Sequence, residues 1–227
     1  KRTIKKVLFL FLLGGLQGFI GWFMVKSGLS ERTSVSHIRL AIHLITAFIT
    51  FGFTLYFALA ILRVNKITQS SRSIRRLVNI LFAAITIQII YGAFVAGLHA
   101  GKIYNTYPLM NGKIIPDDLF NLQPLLKNFF DNQITVQFMH RVIALLIVVL
   151  SFILLYKSKT EKYFNSHRKG IMFLLIAVFL QFVLGIFTLL SSVDISLAIL
   201  HQAGAFFLFS AGVYLLFVFR REAVDGY

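Results

Sequence analysis

Six apolar runs, each about as long as a helix needs to cross a hydrocarbon layer about 30 Å thick, recur along the chain. They cover Val7 to Val25, Ile38 to Leu62, Leu77 to Leu98, Ile134 to Tyr156, Ile171 to Ser191 and Ile195 to Phe219. A segment in lipid must satisfy its own backbone hydrogen bonds, so these runs read as helices one to six of an all-α polytopic membrane protein. Of the 227 residues, 58% are hydrophobic and 14% charged, whereas about a quarter of the residues in a soluble domain are charged. The bilayer is the solvent of this chain.

A formal net charge of +15 would suit a nucleic-acid partner, but its placement is topological instead. Lys and Arg cluster at Lys1, Arg2, Lys5 and Lys6, then at Arg63, Lys66, Arg72, Arg75 and Arg76. They cluster again at Lys157, Lys159, Lys162, Arg168 and Lys169, and at Arg220 and Arg221. Every cluster falls on the side to which an even number of crossings returns. The positive-inside rule therefore places both termini and two loops in the cytoplasm or its equivalent. The opposite side carries the link from Lys26 to His37, a long outer loop over 99–133, and a tight turn around Asp194. Helix one has the basic leader of a secretory signal but no A-x-A cleavage pattern, and five spans follow, so it is expected to stay. The chain starts inside a basic run without an initiator Met, which suggests a missing upstream piece.

The odd-numbered helices share a pattern of Gln, three residues, then Gly: Gln17 and Gly21, Gln88 and Gly92, Gln181 and Gly185. At this spacing the two residues lie on one helix face, where Gly permits close approach and Gln can bond across the bundle. Helix packing is the simplest reading of that face. Each even-numbered helix then adds one deep histidine: His43, His140 and His201. The repeat is a helix hairpin read three times. Two hairpins close a four-helix bundle, so helices three to six form one bundle, and helices one and two are half of a pseudosymmetric second.

Each histidine lies seven residues into its helix, counted from Ser36, Gln133 and Asp194. At 1.5 Å per residue all three imidazoles sit roughly 10 Å below the outer helix ends, inside the apolar layer. One such histidine reads as a hydrogen-bonding partner. Three at one depth in a repeat read as a site, and neutral imidazole is the commonest metal ligand among side chains. The chain has no Cys, so thiolate metal sites, iron–sulfur clusters and covalently attached haem are excluded. Two facing histidines in a four-helix bundle best match a non-covalent haem with bis-imidazole ligation, pairing His140 with His201. His43 belongs to the incomplete bundle. Arg39 and Arg141 sit where outward-directed propionates need cations, with snorkelling to the interface as the alternative. His37, His99 and His167 read as solvated. The outer loop, with Tyr104 to Gly112, Pro116, Pro124 and the apolar stretch Leu125 to Phe130, is long enough to be a lid over the haem edge.

Several segments resemble the haem A synthase family in its mitochondrial and alphaproteobacterial-type branch. They are Leu16 to Leu29, Arg39 to Leu44, Tyr91 to Gly97, Asn105 to Gly112, Val136 to Arg141, and His201 with Gln202. The resemblance implies an eight-helix oxidoreductase that converts the C8 methyl of haem O to a formyl group. It implies haem B as the cofactor, with His140 and His201 as axial ligands and Arg141 beside it, and makes His43 one of two histidines at the substrate-haem site. Residues 1–66 would then be the second hairpin of the N-terminal substrate bundle, and 67–227 the complete haem B bundle. The family's first hairpin, which brings the other histidine and a catalytic acid, is not in this chain. A bacterial or mitochondrial inner membrane follows from the resemblance, as do haem O synthase, an electron acceptor and a homo-oligomeric partner as interactions.

Two other readings compete. An electron-carrying bis-histidine cytochrome b accounts for the ligands, although a relay across the membrane needs haems at two depths. A transporter usually has broken helices and midplane polar sites, and these helices are continuous.

Overall fold

The computed structural model describes residues 2–28, 35–62, 71–160 and 164–220. In order, these form α1 (Arg2–Gly28), α2 (His37–Ile61), α3 (Arg72–Gly97), the short α4 (Asn128–Asp131), α5 (Gln133–Lys159), α6 (Phe164–Leu190) and α7 (Ile195–Val218). All but α4 are long and apolar enough to cross a membrane, and the chain is a multi-pass membrane protein. The basic residues Lys1, Arg63, Lys66, Lys162 and Arg221, the boundary after residue 66 and the side chain of His167 lie outside the described residues.

The helices outrun the apolar stretches that announce them. α3 starts at Arg72, more than a turn before Leu77, and Ser71 caps it by accepting from the Ile74 N–H at 3.3 Å. α5 starts at Gln133 under Asn132, whose side-chain oxygen accepts from the N–H groups of Ile134 and Thr135 at 2.9 and 3.2 Å. Asp194 caps α7 in the same way. Hydropathy marks only the part of a helix immersed in lipid. Capping residues and helix-forming polar residues carry it onward.

α3 packs on α5, α5 on α6, α6 on α7 and α7 back on α3, which closes a four-helix ring. α2 lies outside this ring against α3 and α7, and α1 packs on α2. Phe9 meets Phe53 edge-on at 5.0 Å, and the Lys6 ammonium lies 5.2 Å from the ring of Phe57, seating α1 on α2. Phe11, Leu12, Phe19 and Trp22 of α1 are exposed.

The ring is densely filled at the end bearing the basic clusters, by Ile74, Leu81 and Ile85 of α3, Leu154 of α5, Leu174 of α6 and Leu215 of α7. Between lipid-embedded helices apolar side chains gain little by leaving lipid. Close van der Waals fit therefore holds this half together.

The outer loop between α3 and α5 is compact. A 3-10 turn at Ala100–Lys102 follows α3 and another at Leu125–Lys127 leads into α4, so the apolar stretch Leu125 to Phe130 folds rather than trailing as a connector. Asn132, 6% exposed, organises it by donating to the carbonyls of Asp118 and Leu119 at 2.9 and 3.2 Å and to Asn121 Oδ1 at 2.9 Å. The Thr135 hydroxyl also donates to the Leu119 carbonyl. α4 brings Asp131 over the first turn of α2, where its carboxylate lies 3.0 Å from His37 Nε2. His37, expected to be solvated, is instead paired and set edge-on to Phe94 at 5.8 Å between ring centroids. Its partner lies in a helix too short to be legible from periodicity.

Candidate functional site

Each of the three deep histidines has a glutamine amide of a neighbouring helix on its ring. His43 on α2 receives the Gln17 amide of α1, whose Nε2 is 3.1 Å from the ring Nδ1 and donates to the His43 carbonyl at 3.1 Å. His140 on α5 has Gln88 Nε2 of α3 at 3.2 Å from its Nε2. His201 on α7 has Gln181 Nε2 of α6 at 3.4 Å from its Nε2, with a bond to its carbonyl at 2.9 Å. The glycine one turn along faces the same ring. A methyl group at Gly21, Gly92 or Gly185 would stand 3.0, 3.5 or 3.0 Å from Cε1 of the histidine. The Gln–Gly pattern, read first as helix packing, is thus a seat for imidazole. Spacing shows that two residues share a face; it does not show what faces them.

His140 and His201 line one cavity of about 480 Å³ in the outer half of the four-helix ring. A volume in the ordinary range for ligand pockets fits a cofactor-sized molecule. Its walls are apolar apart from the glutamines, the histidines and the residues at its mouth, and include Phe48, Ile85, Ile89, Val178 and Leu208. Nδ1 of each histidine is buried without a hydrogen-bond partner. A buried imidazole nitrogen left unpaired is costly. His43 lies between α1 and α2 and does not line this cavity.

Arg141 lines the cavity and holds the outer loop. Its Nη1 donates to the Thr106 carbonyl at 2.9 Å and its Nη2 to the Tyr104 carbonyl at 2.9 Å, while Nε is buried and unpaired. Gln137, one turn earlier, donates to the same Tyr104 carbonyl at 3.1 Å. Asn105 ties the loop to α6 through the Leu189 carbonyl at 2.9 Å. Tyr107 and Pro108 thereby reach the cavity wall, and Tyr107 meets Phe182 edge-on at 6.2 Å. Arg39 lies elsewhere, its guanidinium 5.3 Å from the ring of Phe23 on α1. Among the described residues neither arginine forms an ion pair.

The structure therefore brings His140, His201 and Arg141 together and keeps His43 apart. Gln137 and Lys102 also line the cavity and went unread in the sequence, whereas Tyr107 belongs to the loop expected to be a lid. Only Gln137 left a signal there, on the same face of α5 as Arg141. His99 is exposed at the cavity mouth.

A family described as cytochrome oxidase assembly protein, COX15-CtaA, matches residues 1–213. A protein of Wolbachia pipientis wMel named Heme A synthase is 45% identical over 227 residues, which is 99% of this chain and 63% of that protein. Proteins of the same name from Flavobacterium johnsoniae and Nitrosospira multiformis are 45% and 44% identical, each covering 94% of this chain and 63% and 61% of their own lengths. The chain thus spans less than two thirds of the length of these relatives. On this match, the chain belongs to the COX15-CtaA family of cytochrome oxidase assembly proteins.

Proposed function

We propose that this chain belongs to a haem A synthase, an oxidoreductase that converts the C8 methyl group of haem O to a formyl group. The observation that carries the reading is the pair His140 and His201 on one apolar cavity, each imidazole with an unpartnered buried nitrogen. Among the described residues no three His, Cys, Asp or Glu side chains converge to cage an ion. Two imidazoles instead suit an iron whose remaining positions come from a porphyrin.

His140 and His201 would hold haem B through their imidazoles, and that haem, when bound, would supply one-electron transfer. The chain's own residues do the rest. Gly92 and Gly185 leave space beside the rings, and Phe48, Ile89 and Leu208 keep water from the pocket. Arg141 contributes a cation at the cavity edge and fixes the outer loop over it. His43, seated by Gln17 and Gly21, belongs to the substrate-haem site, which needs a second histidine and an acid from outside this chain. Residues 1–66 are accordingly the second hairpin of a substrate bundle, and 67–227 the haem B bundle.

Turning a methyl group into a formyl group with the oxygen taken from water releases electrons and protons, so an electron acceptor is a required partner. The basic clusters put both ends of this chain on the cytoplasmic or matrix side of a bacterial or mitochondrial inner membrane. Mass spectrometry of haem extracted from cells with and without the full-length gene tests the reaction. Deletion is expected to abolish haem A and accumulate haem O. Unchanged haem A overturns the synthase reading and leaves a bis-histidine electron carrier.

A further inference from the structure

Each deep histidine has a glutamine amide on its ring. Gln181 Nε2 donates to the His201 carbonyl at 2.9 Å while lying 3.4 Å from the ring Nε2. Gln17 does the same to His43, at 3.1 Å to the carbonyl and 3.1 Å to ring Nδ1. A carbonyl only accepts, so the amide end turned towards the histidine is the NH₂ group, and the ring nitrogen beside it presents a lone pair. The hydrogen of the neutral ring then sits on the other nitrogen. In His201 that nitrogen is Nδ1, buried and unpartnered. In His140 it is also Nδ1, given the same amide orientation at Gln88. The Oε1 atoms of Gln17, Gln88 and Gln181 are likewise buried without partners.

We propose that Gln88 and Gln181 are positioning residues that hold the rings of His140 and His201 in the orientation for iron ligation, and that Gln17 does so for His43. This rests on haem ligation by His140 and His201. An imidazole that gives one lone pair to a metal keeps an N–H on its other nitrogen, and the group beside it fixes the ring and tunes its basicity. A primary amide carries donor and acceptor side by side, so a half-turn about its last bond changes donation into acceptance. It can therefore serve the histidine in either tautomer. Packing alone does not call for this chemistry. A methionine of equal length would fill the same space without leaving three carboxamide oxygens unpaired in an apolar layer, where such groups are costly.

Gln88→Met and Gln181→Met in the full-length protein keep side-chain length and remove both donor and acceptor. The readouts are haem B affinity, measured by haem transfer to an apo-globin, and the g-values of the ferric protein in electron paramagnetic resonance, which report the imidazole planes. Affinity is expected to fall about 10-fold or more, as for other groups that orient a metal-bound histidine, with altered g-anisotropy. Unchanged affinity and g-values, or tighter binding, overturn the proposal. If either methionine variant fails to accumulate, Gln→Asn at the same position retains an amide but withdraws it by one carbon. The same losses are expected, and wild-type behaviour contradicts the proposal equally. Wild-type protein that binds haem, lost in His140→Ala but kept in the Gln variants, refutes this inference alone. Wild-type protein without haem refutes the ligand assignment beneath it.

Discussion

The imidazole of His201 lies against the backbone of Gly185, where a methyl group would stand 3.0 Å from Cε1, while His140 leaves 3.5 Å above Gly92. The first distance is tighter than ordinary contact and the second is not. Gly185→Ala is therefore expected to displace its histidine and weaken haem retention several-fold, at an overpacking cost of about 1 kcal/mol or more. Gly92→Ala is expected to be milder. The haem-to-protein absorbance ratio of the two purified variants checks the order.

Arg141 holds the loop over the cavity through the carbonyls of Tyr104 and Thr106. A hydrogen bond from a charged donor contributes about 1.5–3 kcal/mol, and less where water reaches the acceptor, as at the exposed Thr106. Arg141→Ala is expected to raise hydrogen exchange across residues 104–110 while the exchange of α3 and α7 stays as in wild type. Arg141→Lys restores little, because a single ammonium lacks the fork that spans two carbonyls.

Where α2 crosses α3 at the loop end, a methyl group on Gly97 would stand 2.6 Å from the Cα of His37. Backbone cannot give way as a flexible side chain does. Gly97→Ala is expected to destabilise the protein by about 1–3 kcal/mol, read as a lower melting temperature in detergent.

Asn132 caps α5 and donates to the carbonyls of Asp118 and Leu119. Asn132→Ala is expected to cost about 1–2 kcal/mol from the cap alone, and to open the loop to protease. The nearby pair Lys113–Asp117 is a contrast. The Asp117 carboxylate raises the Lys113 pKa, but both side chains are well exposed and water screens the pair. Asp117→Asn is expected to leave the melting temperature unchanged.

The spans were legible because the bilayer imposes one length and one polarity on every crossing helix. The pairing of His140 with His201 in one cavity was legible too, through the threefold hairpin. The Gln–Gly face was legible as a place of close approach and hydrogen bonding across the bundle, but its partner, the deep histidine on another helix, was not. The ties of Arg141 to Tyr104 and Thr106, and of His37 to Asp131, could not be read at all. They depend on the path of an irregular loop, which hydrophobic periodicity does not encode.

The most direct test is the absorption spectrum of the reduced, full-length protein purified with each deep histidine replaced in turn. With His140→Ala or His201→Ala, the low-spin signal of bis-histidine haem B is expected to vanish. With His43→Ala that signal is expected to remain while haem A production stops. A low-spin haem B signal that survives in the His140→Ala, His201→Ala double variant contradicts the assignment of the cavity.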